Sequence, residues 1–143
     1  MKSKSLLLVE DNPQDEMLIL RALKKANVAN IIHVVRDGQQ AVDFLLNTDA
    51  GAERVLPAVI LLDIGLPRLS GLEVLDIIRK DQRTKLVPVV ILTSSDEERD
   101  RLRSYESGAN SFVRKPLEFS EFAETVARLG IYWIATNQPP GTP

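Results

Sequence analysis

The 143-residue chain has no cysteine. That excludes disulfide frameworks, thiolate metal sites and cysteine nucleophiles. It has one histidine, His33, too few for a multi-histidine metal site within one chain. No apolar run is long enough to span a bilayer. After Met1-Lys2-Ser3-Lys4-Ser5, only Leu6 to Val9 precede two acids, too short a stretch for a secretory signal. Excess charge is lacking as well: 18 Lys and Arg stand against 20 Asp and Glu, a net charge of -2. Nothing in that balance attracts nucleic acid or an anionic membrane in bulk. These absences describe a cytoplasmic protein with no nucleic-acid and no membrane partner.

The hydrophobic content of 44% is enough for one compact core, and the length suits one domain. Short runs of Leu, Val and Ile alternate with helix-like segments. Leu6 to Val9, Ile31 to Val35, Val59 to Leu62, Val87 to Leu92 and Ser111 to Arg114 read as strands. Asn12-Pro13 opens a first helix with Met17, Leu18, Leu20, Leu23 and Ala26 as its apolar face. A second helix runs through Ala41, Val42, Leu45 and Leu46, followed by a polar loop over residues 47–54. A third spans Leu72 to Lys80. A fourth is capped by Asp96 and reaches about Ser107, and a last one runs from near Ser120 to about Ala135. Residues 137–143 hold three prolines and a glycine and are expected to be disordered.

Continuous apolar strands of this kind are buried on both faces, as in a doubly wound parallel sheet of class α/β. In such sheets, sites form beyond the carboxyl ends of the strands. Glu10-Asp11, Asp63, Thr93 and Lys115 all fall there. Taken singly, each has an ordinary reading as a cap, a turn residue or a solvated lysine. In order, each at its own strand end, they describe one site of three carboxylates and an ammonium. Such a cluster favours a hard cation such as Mg²⁺, with Asp11 and Asp63 as direct ligands, Glu10 direct or through water, and the Gly65 carbonyl as a further one. A carboxylate can also attack phosphorus and form an aspartyl phosphate. Asp63, single and central, is the nucleophile of choice. Lys115 and the Thr93 hydroxyl would then neutralise phosphoryl oxygens.

At this point the chain resembles the receiver domain of bacterial response regulators. The matching segments are LLLVEDNPQD, VVRDGQQAVDFL, PAVILLDIGLPRLSGLEVL, VPVVILTSSD and GANSFVRKPLEFSEF. The resemblance implies a flavodoxin-like (βα)5 fold and phosphorylation of Asp63 by a histidine kinase. It also implies Mg²⁺ held by Glu10, Asp11, Asp63 and the Gly65 carbonyl, and contacts from Thr93 and Lys115 to the phosphoryl group. Thr93 and Phe112 would form the conformational switch, and the Lys115-Pro116 bond would be cis. Gly65 departs from the larger side chain usual two residues past the acceptor, and Phe112 lacks the hydroxyl of the commoner Tyr. Further segments, DNPQDEMLILRAL, RLRSYESGANSFVRKPLEF and IYWI, are similar to the stand-alone regulators that partner phytochromes. A phytochrome kinase is the implied partner.

After Lys115 only the last helix and tail are expected, so residues 1–136 form one receiver domain with an extended C-terminal helix and no output domain. Phe119, Phe122, Val126, Leu129 and Trp133 form a stripe on that helix expected to pack on the sheet. Ile131, Tyr132 and Ile134 are expected outside it as an apolar patch. Phe119, Phe122, Ile131, Tyr132, Trp133 and Ile134 are therefore the candidate surface for a homodimer or partner. Gln14, Asp15, Leu18 and Arg21 on the first helix are candidates for kinase specificity. His33, on a strand, is read as a surface or core residue and not as a phosphohistidine.

The rival reading is a Mg²⁺-dependent hydrolase with an aspartyl-phosphate intermediate. It needs a second acid two residues after the nucleophile, where this chain has Gly65. A flavodoxin-like binder of a small phosphate ligand would give no reason for the acids. The expected function is a phosphoacceptor switch, with catalysis limited to its own phosphorylation and dephosphorylation.

Overall fold

A computed structural model describes residues 4–27, 31–46 and 56–138. The elements alternate: β1 (Ser5–Val9), α1 (Pro13–Ala26), β2 (Ile31–Val35), α2 (Gly38–Leu46), β3 (Val59–Leu62), α3 (Gly71–Lys80), β4 (Val89–Thr93), α4 (Glu98–Glu106), β5 (Ser111–Arg114) and α5 (Phe119–Gly130). A π-helical turn (Ile131–Thr136) continues α5. The five strands form one parallel sheet in the order β2-β1-β3-β4-β5. The expected doubly wound α/β architecture is what the chain adopts.

Successive side chains of a strand point to opposite faces, and here both faces are covered. Leu7, Val9, Ile60, Leu62, Val89 and Ile91 pack with Ala41 and Leu45 of α2 and Val74, Leu75 and Ile78 of α3. Leu6, Leu8, Val59, Leu61, Val90 and Leu92 pack with Ile19, Ala22 and Leu23 of α1 and Phe122 and Val126 of α5. Each of the Leu, Ile, Val and Phe side chains among them contributes about 1.5–3 kcal/mol when fully buried. The sheet is thereby a rigid floor whose carboxyl edge holds the loops in place.

The helix starts are set by local chemistry. Asn12 Oδ1 accepts from the Gln14 and Asp15 amides at 2.9 and 3.0 Å, with Pro13 in the first turn. Ser70 and Glu73 form a reciprocal capping box on α3. The next position, Gly71, is a close approach: a Cβ there would lie 2.3 Å from the Asp63 carbonyl oxygen. Behind α3, Arg79 donates to the carbonyls of Lys85, Val87 and Gly108 and to Asn110 Oδ1. It ties the end of α3 to the starts of β4 and β5, and burial lowers its pKa. Gly108 turns at φ +100°, where L side chains are strained, and a Cβ would meet Arg79 Nε at 2.9 Å.

Several expectations are corrected. Met17 is exposed, and Ile19, Ala22 and Leu23 are the buried face of α1. The fourth helix starts at Glu98, past Asp96. Ser95 Oγ accepts from the Glu97 amide at 3.3 Å and donates to Asp100 Oδ2 at 2.7 Å, so it holds the entry to that helix in place of Asp96. Lys115-Pro116 is trans, as no described peptide bond is cis. Phe119 is exposed, outside the stripe assigned to the core, whereas Phe122 and Ile134 are buried and leave the candidate dimer surface. Phe122, Val126, Gly130 and Ile134 are the buried residues of α5 and the π turn, four apart throughout. An α-helix drifts off a spacing of four, and a π turn corrects the drift. The Asn137 amide donates to the Tyr132 carbonyl at 2.6 Å, five residues back, and Lys4 Nζ donates to the Ile134 carbonyl at 2.9 Å. The loop expected over residues 47–54 and the end of the tail lie outside the described residues.

Candidate functional site

The pairing pattern of the sheet runs one residue past its strands. The Glu10 amide donates to the Val35 carbonyl, the Asp63 amide to Val9 and the Lys115 amide to Thr93, at 3.1, 3.2 and 2.7 Å. Backbone hydrogen bonds thus aim three functional residues from the same edge. One carboxylate oxygen each of Glu10, Asp11 and Asp63 lies within 4.8 Å of the others. Hard divalent cations favour such an all-oxygen donor set, so these residues fit Mg²⁺ or an ion of like character.

Lys115 fills the centre. Its ammonium donates to Glu10 Oε1 at 2.6 Å, to Asp15 Oδ2 at 2.9 Å and to Asp63 Oδ2 at 3.0 Å. The Lys115 side chain is 5% exposed, Glu10 2%, Asp63 12% and Asp15 22%. Burial alone would lower the Lys115 pKa. The hydrogen bonds to Glu10 and Asp15 and the charges of Asp63 and Glu10 outweigh it and hold the ammonium above its ordinary range. Burial pushes Glu10 up to about 7, helped by the Asp63 charge and only partly offset by Lys115 and the Asn12 amide. The cluster therefore carries more negative charge than one ammonium balances, and it attracts a cation or a proton at neutral pH.

The other residues expected at the site border it. Thr93 is buried, and its Oγ1 accepts from the Ser95 amide at 3.3 Å. Thr93, Ser94 and Ser95 share an open cavity of about 720 Å³ with Asp63, Gly65, Asp100 and Arg103. Gly65 donates its amide to Asp63 Oδ1 at 3.0 Å. A Cβ there would meet only that same oxygen, at 3.7 Å, an ordinary contact. Phe112 is half-buried against the core on the α2–α3 face, and its amide donates to the Tyr105 hydroxyl at 3.3 Å. That hydroxyl comes from α4, a contribution the sequence reading did not anticipate.

Asp15, a candidate for kinase specificity, also binds Lys115. The signal was present in DNPQD. A side chain in the first turn of a helix leans back toward the N-terminus, which here means toward the strand ends.

The model of the response regulator receiver domain matches residues 6–127. The chain belongs to the response regulator receiver family. Members of this family are typically phosphoacceptor switches rather than true enzymes. Among its relatives is the probable methanogenesis regulatory protein FilR2 of Methanothrix harundinacea (strain 6Ac). The two are 40% identical, over 95% of this chain and 87% of that protein. The phosphorylated cyanobacterial phytochrome response regulator RcpA superposes with a TM-score of 0.89 at 36% identity, covering 98% of this chain and 100% of that one. The bacteriophytochrome response regulator RtBRR is 47% identical with a TM-score of 0.75, covering 97% and 85%. Rcp1 of Synechocystis (strain PCC 6803) is 34% identical over 96% of this chain and 93% of that protein. In its Mn²⁺-bound form Rcp1 gives a TM-score of 0.87, covering 96% and 99%. Within the receiver frame, the acidic pocket of Glu10, Asp11 and Asp63 is consistent with a phosphoacceptor site. No helix among the described residues is long and apolar enough to cross a membrane.

Proposed function

We propose that this receiver accepts a phosphoryl group on Asp63 from a sensor histidine kinase. The observation that carries the reading is the Lys115 ammonium 3.0 Å from Asp63 Oδ2, beside the carboxylates of Glu10 and Asp11. A carboxylate oxygen of Asp63 attacks phosphorus as the bond from phosphorus to the kinase imidazole nitrogen breaks, and that nitrogen keeps the electron pair. Lys115 neutralises one phosphoryl oxygen and the Thr93 hydroxyl, which accepts from the Ser95 amide, donates its own proton to another. Glu10, Asp11, Asp63 and the Gly65 carbonyl are assigned to Mg²⁺, which when bound offsets the charge of the transferring group. Thr93 and Phe112 form the switch between the two states.

The names of RcpA and RtBRR favour a phytochrome as the kinase, and membership of the receiver family favours the cytoplasm as the place. Residues 1–136 act as one receiver domain. Its output is a change in homodimer or partner binding at the exposed part of the C-terminal helix region, Phe119, Ile131, Tyr132 and the half-buried Trp133.

Acetyl phosphate with Mg²⁺ tests this. Intact mass should show one phosphoryl group on the wild type and none on Asp63→Asn or without Mg²⁺. Size exclusion on the same samples reports assembly. Failure of the wild type to bind beryllofluoride, a phosphoryl mimic, would sink the reading.

A further inference from the structure

The Lys115 ammonium has three N–H donors, and in this structure all three are used. Two of its acceptors have other work in the receiver reading, on which this inference rests. Glu10 and Asp63 belong to the oxygen cluster suited to a cation, and Asp63 is also the atom source for the phosphoryl bond. Each commitment weakens their hold on Lys115. The third acceptor, Asp15, lies outside that cluster and has no part in the chemistry.

Asp15 is also well anchored. It sits in the first turn of α1, its amide bound to Asn12 Oδ1 at 3.0 Å, and its Oδ2 lies 2.9 Å from Lys115 Nζ. We infer that Asp15 is a positioning residue: it tethers the Lys115 ammonium to α1 and keeps it aimed at the acceptor when Glu10 and Asp63 are engaged. It touches neither the cation nor the phosphoryl group. The bland account is a carboxylate that merely favours the positive end of a helix. That account predicts a change in stability and none in Lys115.

Two measurements on the full chain separate them. In the first, beryllofluoride affinity is measured with saturating Mg²⁺ for wild type, Asp15→Asn, Asp15→Glu, Lys115→Ala and the Asp15→Asn/Lys115→Ala pair. Loss of one charge-assisted hydrogen bond should weaken binding about tenfold in Asp15→Asn. Mg²⁺ affinity without beryllofluoride should fall by clearly less than beryllofluoride affinity does. Asp15→Glu should recover part of the loss, and Asp15→Asn should add nothing once Lys115 is gone. An equal loss in the Lys115→Ala background, or an equal loss of Mg²⁺ affinity, would overturn the tether in favour of bulk electrostatics. The second measurement does not depend on acceptor chemistry. Lys115 is labelled with an amine-reactive ester, with and without Mg²⁺, and followed by peptide mass. Several-fold faster labelling in Asp15→Asn supports the tether, and an unchanged rate overturns it. If wild type binds no beryllofluoride, the receiver reading fails, while the labelling rate still decides whether Asp15 holds Lys115.

Discussion

Glu10 makes cation binding depend on pH in a way that the site itself sets. Burial raises its pKa to about 7, whereas a cation needs it as a carboxylate. Binding therefore expels whatever proton Glu10 holds. At pH 7 about half a proton should leave per cation bound, at pH 8 roughly a tenth, and at pH 6 about nine-tenths. The apparent Mg²⁺ affinity should be nearly flat above pH 8 and fall by up to about tenfold between pH 8 and pH 6, or up to about 1.4 kcal/mol. The sign is fixed: protonation removes one carboxylate from the set of Glu10, Asp11 and Asp63, so acid weakens binding. Calorimetry in two buffers of different ionisation enthalpy gives the proton count directly. Glu10→Gln should abolish the proton release and flatten the profile. The single histidine, His33, lies on β2 against Phe44 with ring centroids 4.9 Å apart. His33→Asn should leave the profile unchanged. An affinity that moves less than about twofold between pH 6 and pH 8, or heats independent of buffer, would refute the argument.

Three further outcomes follow from the packing. Gly71→Ala places a Cβ 2.3 Å from the Asp63 carbonyl oxygen and 2.6 Å from Ile64 Cα. It should destabilise the fold by about 1–3 kcal/mol in urea melts and slow acetyl phosphate labelling of Asp63. Filling the open position at Gly65 with Asn should leave stability within about 0.5 kcal/mol and slow loss of the phosphoryl group, read by intact mass over time, since the side chain shields the acceptor from water. Hydrolysis as fast as wild type would show that Gly65 does not set the lifetime. Phe122→Ala should cost about 3–5 kcal/mol, whereas Tyr132→Ala should stay within about 0.5 kcal/mol and alter only association, as size exclusion would report.

The strands were legible because they are short apolar runs ended by acids, hydroxyls or a lysine, and the site followed from those ends. What the sequence blurred is rotation about helix axes. Leu18, Ile19 and Leu20 are consecutive in α1, so periodicity does not choose the inward face. The strand-to-helix turn fixed by Asn12 does, and it turns Ile19 in and Met17 out. Ile134 was misplaced for a related reason: an α-helical wheel sends it outward, and the π turn brings it in line with Gly130. Ser95 displaced Asp96 as the residue organising the entry to α4 because its hydroxyl both accepts and donates. A carboxylate can only accept. Asp15 was visible as an acid near a helix start, but its partner lies 100 residues away, a distance that no local pattern carries.

The one tryptophan gives the molecule a built-in optical reporter at a telling place. Trp133 borders a cavity with Arg79, Pro88, Gly108 and Asn110, residues at the starts of β4 and β5 or at the end of α3. The acids stand at the finishes of the strands, so the indole is separated from them by roughly the 15 Å length of a strand. Neither a cation nor a phosphoryl group at Asp63 can quench that indole by contact. A change in its emission on activation would be a signal carried through the sheet and α5. A silent tryptophan would mean that the rearrangement stops before the far edge.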